Sequence, residues 1–161
     1  MELLQQVLKD TLACAQSATK ENTPAGKWTC DQILEHLYLT YRGTNRGLEK
    51  CLEGGTPLAT KATLQHRAAT LILVDLGYFP SGRKSPERAV PKGIPKEEVR
   101  TMILAEIQKM DGSLAQCEKT FGPRTKLLDH PVLGPLNADQ WRRFHLVHAR
   151  HHARQIQQRA S

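Results

Sequence analysis

The chain has 161 residues, with 23 Lys and Arg against 16 Asp and Glu for a net charge of +7, and only 5% aromatic residues. The charge is spread along the chain with no Lys/Arg run longer than two, which weighs against nucleic acid as a partner and fits a solvated surface with some attraction for anionic small molecules. No stretch approaches the roughly 18 apolar residues of a membrane span, and the opening Met-Glu-Leu-Leu-Gln-Gln lacks the apolar run of a signal peptide, so we expect a cytoplasmic protein with no membrane partner.

The length suits a single domain over 1–161 that buries roughly two-thirds of its unfolded surface. Leu3, Leu4, Val7, Leu8 and Leu12 follow helical spacing and predict a first helix over residues 1 to about 20, broken by Asn22-Thr23-Pro24-Ala25-Gly26. Thr29 is placed to cap a second helix with Gln32 as its capping-box partner, and Glu53-Gly54-Gly55-Thr56-Pro57 stops that helix near Leu52. Residues 60–76 read as a further helix, although the apolar run Leu71-Ile72-Leu73-Val74 also fits an extended segment. Residues 77–95 carry Gly77, Pro80, Gly82, Pro86, Pro91, Gly93 and Pro95 and leave no room for a regular element; so long a loop usually has a function as a cover or a crossover. Pro95-Lys96-Glu97-Glu98 starts a strong helix, acidic in its first turn, that runs to about Phe121 before Gly122-Pro123. A loop over 126–136 leads to Asn137, which can cap the last helix with Gln140 reaching back. No strand alternation is visible, and the fold class expected is all-α, a bundle of four main helices. The four cysteines, Cys14, Cys30, Cys51 and Cys117, are too scattered for a zinc ribbon or redox loop and read as reduced, mostly buried small hydrophobes.

The last helix holds His148-Ala149-Arg150-His151-His152. At about 100° per residue, Trp141, Phe144, His145, His148, His152, Gln155 and Ile156 form one stripe about 120° wide, with Arg142, Arg143, Arg150 and Arg154 on the opposite side. His148 and His152, four residues apart, stack about 5–6 Å apart at Cβ and can both reach one metal ion. A single histidine on an apolar face is more often a satisfied core residue; two on one face beside Gln155 favour a metal. His151 lies at the edge of the stripe and is the poorer ligand, whereas His145 shares it and can join or replace one of the pair. Two ligands are too few for a zinc-like site, which takes three with an open position or four without. The distant donors on offer are His36, His66, His130 and the carboxylates. His36 lies about 100° from the centre of its own helix's apolar stripe, Ile33, Leu37, Tyr41, Thr44 and Leu48; His66 looks like surface; His130 sits in a loop that can fold over the site as a substrate contact or acid/base group.

The segment Trp28-Thr29-Cys30-Asp31-Gln32-Ile33-Leu34-Glu35-His36-Leu37 resembles the Trp-x-x-x-x-Ile-Leu-x-His-Leu opening of the DinB/YfiT-like superfamily, and His148 through Gln155 resembles its closing His-x-x-x-His with a following Gln. Asp129-His130-Pro131-Val132-Leu133-Gly134-Pro135-Leu136-Asn137 is similar to a branch of that superfamily described only as a domain of unknown function. The resemblance covers nearly the whole chain in order. It implies a four-helix bundle of up-down-down-up connection, with one divalent metal, zinc or nickel, held by His36, His148 and His152. The 43-residue stretch from 53 to 95 is long enough to make the crossover such a bundle needs.

The function expected is that of a divalent-metal-dependent enzyme, with hydrolysis or transfer of a low-molecular-weight thiol to a small electrophile at the three-His site, and with His130 and Tyr41 as candidates for supporting roles. The alternative is a non-catalytic binding or stress-response module in which metal only staples the helices. Oligomeric state is open, a homodimer being the commonest outcome for soluble oligomers.

Overall fold

The computed structural model describes residues 1–17, 21–77 and 85–160. The expected continuation of the first helix to residue 20 and the middle of the Pro/Gly-rich stretch, 78–84, lie outside them. The described chain is mostly helical, with five helices and one small two-stranded sheet. In order these are α1 (Glu2–Ser17), α2 (Cys30–Glu53), α3 (Leu64–Thr70), α4 (Lys96–Phe121), β1 (Leu128–His130), β2 (Gly134–Leu136) and α5 (Ala138–Arg159). Among the described residues, no helix is long and apolar enough to cross a membrane.

Three helices begin on the same chemistry. Thr29 Oγ1 accepts from the Gln32 amide at 3.2 Å while Gln32 Oε1 accepts from the Thr29 amide at 2.9 Å, closing the expected capping box of α2. Asn137 and Gln140 do the same for α5. Thr63 and His66 form a third box on α3, with His66 Nδ1 as the acceptor. Each pair satisfies two backbone donors that the first turn leaves open and is worth about 1 kcal/mol.

The core lies where α2 packs on α4 and α1 packs on α5. Leu4 and Leu8 of α1, Ile33, Leu37, Tyr41 and Leu48 of α2, Ile103, Ile107, Met110 and Leu114 of α4, and Trp141, Phe144 and Ile156 of α5 are buried there. Each such side chain contributes about 1.5–3 kcal/mol of hydrophobic free energy. Cys30, Cys51 and Cys117 are buried and free, and Cys14 is half-buried.

Four local readings change. The helix expected over 60–76 starts at Leu64, because Thr63 caps it, and ends in a π turn, Leu71–Asp75, where the Leu76 amide reaches the Leu71 carbonyl. The irregular stretch carries a 3₁₀ turn at Glu87–Ala89. The loop over 126–136 contains an antiparallel pair, Leu128 opposite Leu136 and His130 opposite Gly134, in strands too short to show a period of two in sequence. Gly134 turns there with φ +66°, and a Cβ at that position would collide with the ring of His66. That packing half-buries His66 behind the hairpin instead of leaving it on the surface.

Candidate metal centre

His36, His148 and His152 come together, all buried, with one ligand atom from each within 4.8 Å of the others. His148 Nε2 lies 3.1 Å from His36 Nε2 and 3.0 Å from His152 Nε2. The rings meet edge to face, at 80° for His36 and His148, 66° for His36 and His152, and 80° for His148 and His152. Residue spacing explains the pair on α5. His36 arrives on a flank of α2 beside its apolar stripe, where it meets His148 of α5 and the Ala89 carbonyl. That flank is covered by α5 and by the 3₁₀ turn at Glu87–Ala89, so a position that periodicity puts at the margin becomes 4% exposed.

The outer nitrogens fix the tautomers. His36 Nδ1–H donates to the Ala89 carbonyl at 2.7 Å, and His152 Nδ1–H donates to Gln155 Oε1 at 2.9 Å. Each of those rings therefore presents a bare lone pair at Nε2. Gln155 is oriented in turn by its Nε2–H, which donates to His151 Nε2 at 3.1 Å. A proton on His148 Nε2 can serve one neighbouring lone pair well, whereas a divalent cation would satisfy all three nitrogens at once. The residues present fit such an ion, in donor chemistry and in the carbonyl and amide that orient them. Burial lowers the pKa of all three imidazoles: His36 against the opposing pull of its Ala89 bond, His148 well below the usual range with the neighbouring imidazoles adding to burial, and His152 to about 3. Neutral rings are the ligating form.

The turn that meets His36 is itself anchored. Glu35, buried beside His36, accepts from the Lys92 amide at 2.6 Å and the Gly93 amide at 3.2 Å. These bonds hold the connection after Ala89 against α2. Trp28 packs on His36, its ring 5.0 Å from that of the histidine.

The three histidines form part of the wall of a cavity of about 1010 Å³, which is also lined by Trp28, Thr40, His130, Phe144 and Gln155. His130 Nδ1 accepts from the Val132 and Leu133 amides, both at 3.2 Å, so its Nε2 carries the proton and acts as a donor. Burial, then the charge of Arg88, lowers its pKa to about 4. His145 does not join the cluster. Its Nε2–H donates to Thr44 Oγ1 at 3.1 Å, its ring stacks on Trp141, and burial takes its pKa to about 3. Tyr41 is fully buried against His145 and is not among the residues lining the cavity; burial holds its hydroxyl far above the usual range. His151 sits beside the cluster as the partner of Gln155.

Glu35, the Ala89 carbonyl and Arg159, which lines the cavity, are the residues around the cluster that sequence reasoning missed. Arg159 had a legible signal, since it continues the stripe of His148, His152 and Gln155. The anchoring of the connection by Glu35 had none. Neither a curated protein nor a solved structure matches the chain. Residues 1–159 match a family described as a protein of unknown function (DUF1569), and the chain belongs to that family.

Proposed function

We propose that His36, His148 and His152 hold one divalent metal ion, zinc or nickel, and that the protein is a metal-dependent enzyme acting on a small molecule by hydrolysis or by transfer of a low-molecular-weight thiol to an electrophile. The observation that carries this is the convergence of three buried, neutral imidazoles at the wall of a cavity large enough for a small-molecule substrate. A metal with three protein ligands and an open position lowers the pKa of a bound water or thiol and so supplies a nucleophile at neutral pH. The protein's own groups do the rest. Ala89 and Gln155 hold the ligating rings in one tautomer, Trp28 and Phe144 exclude water, and His130 offers its Nε2–H to the developing charge or leaving group. In the same reading α1, α2, α4 and α5 form an up-down-down-up bundle of the DinB-like kind, crossed by the connection through residues 54–95. The packing of α2 on α4 and of α1 on α5 supports that arrangement.

The test is elemental analysis of protein purified without a His tag, paired with turnover of thiol and ester substrates. About one equivalent of zinc or nickel per chain is expected, falling sharply in His36→Ala and His148→Ala. Substoichiometric metal that His36→Ala leaves unchanged would sink the reading. Full metal with no turnover, and a chelator-sensitive melting temperature, would favour the structural staple instead.

A further inference from the structure

Arg159 ends α5 on the same face as the two helical histidines, since His148, His152, Gln155 and Arg159 follow one another at intervals of four, three and four. It is only 9% exposed and it lines the cavity. Its Nη1 donates to the Gln155 carbonyl at 2.9 Å, its Nε is buried without a partner, and none of the ion pairs among the described residues includes it. A guanidinium is always charged, and burying one is costly unless an anion meets it. Side chains on a helix lean toward its N-terminus, and the bond to Gln155 shows that this one does, which carries its charge back toward His152.

The rest of the cavity wall has the same sign. Lys27, Arg42, Arg46, Arg88 and Lys92 line it, and none of them takes part in an ion pair among the described residues. Among the described residues the lining holds one carboxylate, Asp129, which directs both oxygens at the Thr60 amide, at 3.1 and 3.2 Å. A wall so unbalanced concentrates small anions.

We propose that the cavity takes a small-molecule anion whose carboxylate or phosphate is held by Arg159 while its reacting end lies at the Nε2 atoms of His36, His148 and His152. This deepens the proposed function and rests on reading the cavity as the active site. The planar fork of Arg159 suits an oxyanion, and the neighbouring cations draw the molecule in without fixing its orientation.

The experiment is a titration of the full chain with inorganic phosphate and, separately, with succinate, read by the fluorescence of Trp28 and Trp141, which both line the cavity, and run on both metal-loaded and chelator-treated protein. Saturable binding of at least one anion is expected in both preparations, and which anion binds more tightly identifies the acidic group. Arg159→Met should weaken that binding roughly tenfold or more. Arg159→Lys should restore part of it, and Arg150→Met, on the exposed side of α5, should leave it unchanged. If Arg159→Met loses its helicity, Arg159→Lys carries the comparison, with binding several-fold weaker than wild type expected. No saturable binding of either anion, or equal binding by the Arg159 variants, would overturn the proposal. Anion binding that requires metal and ignores Arg159 would refute it while leaving the metal reading intact. Arg159-dependent binding by a protein with no affinity for metal would do the reverse.

Discussion

Acidification should unfold this protein at a pH where most small domains remain folded. Burial takes the pKa of His145 and His152 to about 3 and of His130 to about 4, and holds His148 well below the usual range. In the unfolded chain each returns to about 6.5. Between the folded and unfolded values the unfolded state binds more protons, so stability is full above about pH 6.5 and is lost as the pH falls toward the folded values. At about pH 5.5 the three whose folded values lie near 3 or 4 together cost roughly 4 kcal/mol, and His148 adds in the same direction, against a total stability of about 5–15 kcal/mol for a domain of this kind. Below that the same three lose roughly 4 kcal/mol per pH unit. The assay is urea unfolding followed by helical circular dichroism at about pH 7.5, 6.5 and 5.5 in the presence of a chelator, so that metal does not mask the histidines. A steep fall with uptake of about three protons or more on unfolding is expected, and His145→Gln should remove up to about a third of the slope. Stability that stays flat from pH 7.5 to 5.5 would show that these histidines are not buried neutral, and the argument for a ready-made set of lone pairs would fail with it.

Two further outcomes follow from the groups around the cluster. Gln155→Ala removes the acceptor that fixes the His152 tautomer and should weaken metal binding by about 10–100-fold, measured by competition with a chromogenic chelator, at unchanged helicity. His130→Gln should leave metal content intact and lower turnover by about 10²–10⁴-fold once a substrate is found; loss of metal in that variant would instead make His130 part of the ligand shell.

The α5 half of the candidate site was legible because a helix converts sequence spacing directly into position. His148 and His152 lie four apart on an apolar face, and their neighbour Gln155 falls on the same stripe. The exclusion of His145 was not legible there. It shares the stripe, and only the Thr44 hydroxyl on another helix shows that its Nε2–H is already used. The same limit applied to His36. Periodicity reports the mean apolar direction of a helix and not which partner each side meets: Tyr41 and Thr44 of the α2 stripe touch His145 of α5, Tyr38 and Asn45 reach α4, and His36 meets His148 and the Ala89 carbonyl. Resemblance to a known motif selected His36 where the wheel could not. The hairpin escaped because three-residue strands carry no periodic signal, and its turn depends on a glycine packed under a histidine sixty-eight positions earlier in sequence. Glu35 and His36, adjacent in sequence, bond the same covering segment, one through the Lys92 and Gly93 amides and the other through the Ala89 carbonyl. The connection that covers the cavity and the ligand that faces it are therefore positioned together, so displacing the one should turn the other out of register with α5.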